Sequence, residues 1–275
     1  MLIKGRGFLY YIVLDLEANV RRYRTNKPTE IVEIAAFKLD SKTLKVLGEF
    51  CSLVKPSTSI STYTETLTGI SDKTVQDAPP FPEMLEWFHY FLEEKCVIVT
   101  WGNADSNFFK NDCILHNIEW DMPRFIDLQH VMYHAFENLF ENTPNLKYAM
   151  EVMGLKWRGK SHRARTDARN TVKLFRNVAK RIDVNRSYQR SAASALFYRG
   201  KLNENGRKRL IRWVVYAMTS YNKYDLTWEE FTNESNWIQI MSRFELNPEQ
   251  IMVIKGYFET ACESAKERLE LSVKQ

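Results

Sequence analysis

The sequence of 275 residues predicts an α/β fold in which a mixed β-sheet is flanked by helices, followed by a C-terminal all-helical region. Three strand-like runs come before the first convincing helix. Helical and strand-like patterns then alternate up to about residue 183. No strand-like run follows, so we expect two domains, 1–183 and 184–275, with the boundary near 184–188.

Three apolar runs at the start of the chain predict an antiparallel meander. They cover Phe8 to Leu16, Ile31 to Leu39 and Leu47 to Val54. The first run is rich in β-branched and aromatic residues, which strands favour. The connections between them are short enough for hairpins, which join antiparallel neighbours, apart from the basic loop Arg21-Arg22-Tyr23-Arg24.

The middle of the chain alternates helical and strand-like patterns, and helical spacing of apolar residues starts after Pro79-Pro80. The predicted helices are Phe81 to Leu92, Asp105 to Ile118, Asn145 to Met153 and Asp167 to Ile182, and the predicted short strands are Val97 to Thr100 and Phe125 to Leu128. Helices and strands in this order suit a mixed sheet covered on both faces.

The last third reads as helices over Ser191 to Tyr198, Glu204 to Ser220, Thr227 to Phe244 with an interruption, and Asn247 to Leu271. The second helix has a basic side with Arg207, Lys208, Arg209 and Arg212, and an apolar side. Such a helix could bind nucleic acid, or it could pack on the first domain with its charges solvated. The aromatic residues of this C-terminal region, Tyr216, Tyr221, Tyr224, Trp228 and Trp237, also fit a protein partner or self-association.

Composition narrows the class of protein without identifying it. The net charge of +5 is compatible with a polyanionic partner but decides nothing alone. None of the four cysteines forms a CxxC pair, so no zinc site is expected, and Cys51 and Cys96 lie in apolar runs that predict core thiols. So few cysteines suggest a reducing compartment. No apolar stretch could cross a membrane and no signal peptide is visible, so we expect a cytoplasmic protein.

Asp15 and Glu17 are the first candidate site residues. They lie two apart in a predicted strand, so their carboxylates point to the same side. Two like charges so close together repel unless a cation lies between them, and a hard divalent ion prefers oxygen ligands. The alternative is a solvated strand edge without a ligand.

Asp105, His162 and Asp167 are the other candidates. Asp105 follows a predicted buried strand, where ligand groups gather in open α/β sheets, although it could simply be stabilised by a helix N-terminus. On one helix His162 and Asp167 would point roughly 140° apart. They can converge only if His162 lies on a loop and Asp167 opens a helix capped by Thr166. Otherwise His162 is a surface histidine in a basic loop.

Together, the set Asp15/Glu17, Asp105 and His162/Asp167 resembles the three motifs of the DEDDh (DnaQ-like) 3′–5′ exonuclease family, whose fold is ribonuclease H-like. The likeness covers about residues 8 to 182. Leu67-Thr-Gly-Ile-Ser71 resembles the segment that these enzymes place beside the terminal nucleotide. Asp15-Leu-Glu-Ala, Val54-Lys-Pro and Leu67-Thr-Gly-Ile most resemble the KapD-like and RNA-interference-enhanced exoribonuclease branch.

The resemblance implies a site with two Mg²⁺ or Mn²⁺ ions. Asp15 would bridge both ions, Glu17 and Asp167 would hold the ion that activates water, and Asp105 would hold the second. His162 would accept the proton from the attacking water. Two ions about 4 Å apart stabilise both the entering and the leaving oxygen of a phosphodiester.

The resemblance also implies substrate contacts and an activity. The expected contact residues are Ala18, Asn19, Leu67, Thr68, Gly69, Ile70, Lys160, Arg163 and Arg165. Many family members have Thr-Thr or Ala-Thr where this chain has Ala18-Asn19, which leaves sugar recognition open. The implied function is removal of nucleotides from the 3′ ends of single-stranded RNA, with DNA as an alternative. A nuclease-like binding or regulatory module, delivered to a partner by the helical tail, is a second alternative.

Overall fold

The computed structural model of the chain describes residues 9–23, 26–92 and 95–273. The described residues form two compact units. The first contains those up to 132 together with 144–187, and the second contains 133–143 together with 188–273. The segment 133–143 thus leaves the first unit and packs within the second. The expected domains, 1–183 and 184–275, stay a prediction about which parts fold independently.

The first unit is built on a five-stranded mixed sheet in the order β3-β2-β1-β4-β5. Its strands are β1 (Tyr10–Ala18), β2 (Ile31–Asp40), β3 (Val46–Leu53), β4 (Cys96–Thr100) and β5 (Phe125–Asp127). The first three pair antiparallel, and β4 and β5 run parallel to β1. The predicted meander is confirmed. However, β1 continues to Ala18 instead of ending at Leu16, while the predicted start at Phe8 lies outside the described residues.

Helices cover both faces of this sheet, as predicted. The helices of this part of the chain are α1 (Thr62–Thr68), α2 (Asp72–Val75), α3 (Phe81–Leu92), α4 (Ala104–Leu115), α5 (Leu128–Ala135), α6 (Leu146–Val152) and α7 (Ala164–Ala179). Of these, α3 and α4 pack on one face of the sheet and α7 packs on the other. The expectation that helices start only after Pro79-Pro80 is wrong, because α1 and α2 precede it. Both are short and poor in apolar residues, and side-chain caps from Ser61 and Ser71 begin them.

The core of the first unit lies between the sheet and the pair α3 and α4. Ile12 and Leu14 of β1 pack there with Phe88 and Phe109, whose rings stack at a centroid distance of 5.6 Å. The opposite face carries α7, where the ring of Tyr11 lies 4.8 Å from that of Phe175. Since strand side chains alternate, the odd-numbered residues of β1 face α7.

The prediction of a core thiol at Cys51 is wrong. Cys51 is exposed because β3 is an edge strand, and its sulfur lies 3.4 Å from the Glu49 carboxylate on the same side of that strand. Cys96 is half-buried. Among the described residues, no helix is long and apolar enough to cross a membrane.

The second unit is mostly helical, as predicted. After a 3₁₀ helix (Ala192–Ala195) come β6 (Phe197–Tyr198), β7 (Lys201–Leu202), α8 (Glu204–Tyr221), α9 (Trp228–Asn233), α10 (Ser235–Phe244), α11 (Pro248–Gly256) and α12 (Phe258–Val273). The small hairpin replaces part of the predicted helix over 191–198. Its turn places both Arg199 and Gly200 at positive φ, an uncommon conformation for arginine that the sequence does not signal.

Aromatic side chains form the core of the second unit. Phe231 and Trp237 are buried, and the Trp228 ring packs edge-on against Trp237 and Phe258. These tryptophans therefore stabilise the unit internally and do not form the partner surface that we expected. Tyr216, by contrast, is half exposed.

Arg190 holds the segment 133–143 within the second unit. Its guanidinium donates hydrogen bonds to the backbone carbonyl oxygens of Tyr133, Phe140 and Glu137, and it lies 4.3 Å from the centre of the Tyr133 ring. Glu137 in turn accepts a hydrogen bond from the Ser191 amide. Truncation near residue 184 would remove these partners, so it would disturb 133–143 as well as deleting the tail.

We predict that Gly206→Ala destabilises the second unit. A Cβ at Gly206, in the first turn of α8, would lie 2.2 Å from the carbonyl oxygen of Leu196 and 2.9 Å from Leu202. The resulting overpacking should cost about 1–3 kcal/mol or more. Gly256→Ala is the matched control, because a Cβ there meets nothing within 4 Å and alanine favours the helix by up to about 1 kcal/mol. Equal urea midpoints for both variants would refute the packing argument.

Candidate active site

Asp15 and Glu17 lie at the carboxyl end of β1, the central strand of the sheet. They share one side of the strand, the side that faces α7, as the sequence predicts. In the antiparallel pairing with β2, Asp15 is opposite Ala35 and Glu17 is opposite Glu33. Glu17 is buried and Asp15 is partly exposed. The D-x-E pair is therefore not a solvated strand edge.

Asp105 joins this pair from α4. It lies in the first turn of that helix, just after β4, which runs parallel to β1. Its Oδ1 accepts a hydrogen bond of 3.2 Å from the backbone N–H of Leu16, between the two acidic residues of β1. Asp105 is thus a first-turn helix residue and also part of the acidic cluster. The two alternatives given for it, a residue at a helix N-terminus and a ligand group after a strand, both describe its position.

His162 and Asp167 meet where α7 begins. His162 lies in a bend at φ +60°, and its backbone N–H donates a hydrogen bond of 2.9 Å to Asp167 Oδ2. The placement of His162 outside the helix agrees with the prediction. However, α7 begins at Ala164 and not at Asp167, and Thr166 is not its N-cap.

The loop before α7 depends on one glycine. Gly159 has φ +91°, and a Cβ there would lie 2.9 Å from the Thr166 side chain. Thr166 is therefore occupied in packing against the loop, while the N-cap position falls to Arg163, whose side chain makes no capping bond. The predicted cap is wrong because α7 begins at Ala164, so Thr166 already lies within its first turn.

Three of the five candidate residues could share one ion. Ligand atoms of Glu17, His162 and Asp167 all lie within 4.8 Å of one another, and they are the one such group among the described residues. Asp15 and Asp105 do not belong to this closest group. Asp105 is joined to it through the Leu16 amide, and its charge acts on Asp15.

Burial and mutual repulsion raise the pKa of the acids in this cluster. Burial raises the pKa of Glu17 to about 8, and the charge of Asp167 adds to the effect. Burial also raises the pKa of Asp105 to about 7, although the Leu16 N–H opposes the shift. The pKa of Asp15 is raised first by burial and then by the charge of Asp105. A divalent cation would remove this repulsion.

The donor atoms of the cluster fit a hard divalent cation. Asp167 Oδ1 is buried and has no hydrogen-bond partner among the described residues, while Oδ2 accepts from His162 N–H. A buried carboxylate oxygen without a donor is costly unless a cation binds it. Carboxylate oxygens are the preferred ligands of Mg²⁺ and also suit Mn²⁺.

Glu33 is a residue of the site that the sequence reasoning missed. It is buried on β2, where it lies opposite Glu17. Its carboxylate accepts hydrogen bonds of 3.1 and 2.8 Å from the Arg163 guanidinium and one of 3.0 Å from the Ala164 amide. Glu33 thereby anchors the start of α7 beside Asp167, and its negative charge suits a helix N-terminus. An acidic residue inside the apolar run Ile31 to Leu39 was the available signal.

Ala18 and Asn19 are less accessible than the predicted substrate contacts require. Both are buried. The Asn19 side chain donates to the Ser59 carbonyl oxygen at 3.0 Å and accepts from the Ser61 amide at 2.9 Å. The backbone N–H of Asn19 donates a hydrogen bond to the Glu30 carbonyl oxygen. Asn19 therefore joins the end of β1 to the loop before α1, and its side chain is not available to a nucleotide in this conformation.

The segment from Leu67 to Ile70 ends α1 and lies near Lys160, in the loop before α7. Thr68 and Ile70 are buried, so the expected contact of Ile70 with a base requires this side chain to become accessible, whereas Leu67 is partly exposed. Gly69 closes the helix at φ +79°, and the Lys160 Nζ lies 3.6 Å from where a Cβ at Gly69 would be. The structure thus brings two predicted contact residues together, Gly69 and the exposed Lys160.

Arg163 and Arg165 are bound to carboxylates and do not present open cations. Arg163 is held by Glu33, as described above. The Nη2 of Arg165 donates to Glu49 Oε2 at 3.2 Å. Contacts from these arginines to phosphate would require them to leave or share these carboxylates. The sequence alone does not show these ion pairs.

A family model described as "Exonuclease" matches residues 12–175 of the chain. ERI1 exoribonuclease 2 of Danio rerio is 27% identical over 201 residues, which span 62% of this chain and 35% of that protein. The 3′-5′ exonuclease eri1 of Schizosaccharomyces pombe is 26% identical over 62% of this chain and 67% of its own. A DNA polymerase III PolC-type protein of Thermotoga maritima is 28% identical, over 62% of this chain and 12% of its own. The match thus covers 35% of the Danio rerio protein and 12% of the Thermotoga maritima protein, so the chain spans only a part of these relatives.

Solved structures share the fold. The nuclease domain of 3′hExo, described as a DEDDh family member bound to rAMP, has a TM-score of 0.58 and 22% identity over 63% of this chain and 92% of that one. Escherichia coli exonuclease I in complex with a dA16 oligonucleotide has a TM-score of 0.53 and 18% identity over 63% and 41%. At these identities the likeness concerns the fold alone, and it confirms the predicted fold class.

We predict that Glu33→Gln weakens Mn²⁺ binding by about 10- to 100-fold, the usual effect of removing a residue that orients metal ligands. The amide cannot keep both the Arg163 ion pair and the Ala164 bond, so Asp167 loses its fixed position. Glu49→Gln is the matched control, because it also removes the carboxylate partner of an α7 arginine. Isothermal titration calorimetry measures both. Equal affinities for the two variants would remove Glu33 from the site.

We also predict that the metal-free protein loses stability as pH rises. The folded-state pKa of Glu17 is about 8 against an ordinary value of 4.5, so between these values the folded state binds more protons than the unfolded state. The free energy of unfolding therefore falls as pH rises through this window.

In EDTA, the Tm of the wild type should drop from pH 5.5 to pH 8.5 by more than that of Glu17→Gln, at about 2–4 °C for each kcal/mol. Mg²⁺ should restore stability mainly at the higher pH. Asp121→Asn, at an exposed site, should behave as the wild type. A Tm that rises with pH in EDTA would show that the repulsion is absent.

Proposed function

This chain belongs to the exonuclease family, as its DEDDh residues predict, and we propose that it acts as a metal-dependent 3′–5′ exonuclease that favours RNA. One observation carries the proposal. The buried and unpartnered Asp167 Oδ1 lies in a cluster with Glu17 and His162, and Asp105 joins the strand of Asp15 and Glu17. Phosphodiester hydrolysis by divalent ions requires such a set of carboxylates.

The four carboxylates have separate tasks in this proposal. Asp15, at the centre of the sheet, would serve both ions, Glu17 and Asp167 would hold one ion, and Asp105 would hold the other. When bound, the ions polarise the phosphodiester and stabilise the negative charge that develops on its oxygens. Backbone hydrogen bonds fix two of these carboxylates, those of Asp105 and Asp167.

His162 is the proton acceptor in this proposal. Its backbone is bound to Asp167 while the residue itself is exposed on the loop, so the imidazole can reach a water molecule beside the cluster. An imidazole can accept a proton near neutral pH. Lys160, beside Gly69, supplies a positive charge for a phosphate of the bound strand.

The preference for RNA rests on the names of relatives. Proteins called ERI1 exoribonuclease 2 in zebrafish and Xenopus laevis match the chain. DNA is the second candidate, because PolC-type DNA polymerases also match and exonuclease I is solved with dA16. A binding or regulatory module without catalysis is a third candidate. It is less suitable, because the chain has all five site residues that catalysis requires.

A cytoplasmic location stays a prediction.

The proposal is tested with 5′-labelled oligonucleotides of one sequence, as RNA and DNA, single-stranded and duplex, in a titration of Mg²⁺ and Mn²⁺. We expect a ladder that shortens from the 3′ end, faster for single-stranded RNA, and no products in EDTA. Asp15→Asn should abolish shortening, since an amide replaces an anion that contacts both ions. Binding of intact RNA without any shortening would overturn the enzyme proposal.

His162→Ala should slow shortening by about 10²- to 10⁴-fold, the usual effect of losing a general base, with little change in RNA affinity. His130→Ala, at a histidine outside the cluster, is the matched control and should retain activity. Wild-type rates for His162→Ala would remove His162 from the mechanism. An oligomer with a single 2′-deoxynucleotide at its 3′ end then tests whether the 2′-hydroxyl is sensed.

A further inference from the structure

Charge is unevenly distributed along the second unit. Residues 188–212 contain seven Lys and Arg but one acidic residue, Glu204, whereas residues 213–273 contain five basic and ten acidic residues. The described unit therefore has a basic first part and an acidic second part. The net charge of the whole unit does not show this separation, because the acidic residues of 133–143 and of the later helices offset the basic residues.

The basic residues of the first part share a surface formed by the β6–β7 hairpin and the first half of α8. We call it the tail cation surface and define it by Arg199, Lys201, Arg207, Lys208 and Arg212, all of which are exposed. Within the part of the chain that the structure describes, Lys208 forms an ion pair, with Glu204, and the other four form none. Most of its positive charge is thus not neutralised.

A cavity of about 530 Å³ opens at one end of this surface. Arg199, Lys201 and Arg207 line it, together with Tyr198 and two acidic residues. One acid, Glu204, is bound to Lys208, and the other, Glu141, is exposed. The Arg199 guanidinium lies 5.1 Å from the centre of the Tyr198 ring, so a cation and an aromatic ring are presented side by side.

The surface continues along α8. Lys208, Arg212 and Tyr216 are spaced by four residues, which places them on one side of the helix. Tyr216 is 54% exposed, so an aromatic ring follows the cations at the far end as Tyr198 does at the near end. The cations of the hairpin and of α8 are thus flanked by one aromatic ring at each end, Tyr198 and Tyr216.

We infer that the tail cation surface binds the phosphate backbone of single-stranded nucleic acid at a position outside the active site. The inference rests on the proposed function, which makes nucleic acid the substrate. Open cations release counterions when they neutralise phosphates, and aromatic rings beside them stack with bases of any sequence. An acidic protein would use the cations but not the two flanking rings, and the acidic helices of a second copy are the alternative occupant.

The test compares two double variants that each remove one lysine and one arginine from the second unit. Lys201→Gln/Arg212→Gln changes the tail cation surface. Lys266→Gln/Arg268→Gln changes the last helix, within the acidic part, and breaks one exposed ion pair of small energetic value. Both are placed in the Asp15→Asn background with EDTA, so that the full-length chain binds fluorescein-labelled 20-nucleotide RNA or DNA without cleavage.

We expect the first variant to weaken binding of the 20-mer by about ten-fold at 0.1 M salt, and to lower the slope of log affinity against log salt by about 0.7 for each lost contact. The control variant should bind as the background does. When the same two substitutions are made in the active protein, which keeps Asp15, a trinucleotide should be shortened at the wild-type rate. The 20-mer should be shortened more slowly than by the wild type at limiting substrate.

Equal affinity and salt slope for the two double variants would overturn the inference while leaving the proposed nuclease function intact. Failure of the wild type to shorten any oligomer would overturn the proposed function instead. A salt-dependent dimer in light scattering that only the first variant loses, with RNA affinity unchanged, would assign the surface to a second copy and contradict the inference.

Discussion

Repulsion among buried carboxylates at the carboxyl end of β1 is the constraint on which the rest of the structure depends. Glu17 and Asp105 are buried, and the pKa of each acid in the cluster is raised. Such a cluster costs stability in the absence of a cation, and it persists because the fold fixes the backbone from which each carboxylate projects. The same repulsion that disfavours the metal-free state provides affinity for a divalent ion, so stability and function are coupled through one site.

Backbone hydrogen bonds and one ion pair keep the acids from moving apart. The Leu16 amide holds Asp105, and the His162 amide holds Asp167. Glu33 holds Arg163 and the start of α7, although it adds a further negative charge opposite Glu17. Glu33 thus increases the repulsion between carboxylates within the sheet, but it also fixes the position at which α7 begins. This arrangement explains why residues beyond the five motif positions matter to the site.

Much of the site could be predicted from the sequence because strand geometry is local. Asp15 and Glu17, two apart in a strand, must share a side, and Asp105 follows a strand parallel to β1. Glu33 could not be found in this way, because its role depends on the register between β1 and β2 and on where α7 begins. The partners of Asn19 and Arg163 could not be found from the sequence for the same reason, since the residues that bind their side chains are distant in sequence.

The fold shows a similar division between local and long-range information. The sheet and its long helices follow apolar periodicity, whereas α1 and α2 depend on single caps that periodicity does not detect. The packing of 133–143 within the second unit depends on Arg190, about fifty residues away, and no local pattern announces it. The tail hairpin depends on an arginine at positive φ, which composition alone would not suggest.

Anomalous diffraction from crystals grown with Mn²⁺ tests the central claim most directly. The account predicts two manganese peaks about 4 Å apart, with Asp15 contacting both and Asp167 Oδ1 contacting one. Manganese bound only at other carboxylates of the chain, with Asp167 Oδ1 still without a partner, would contradict it.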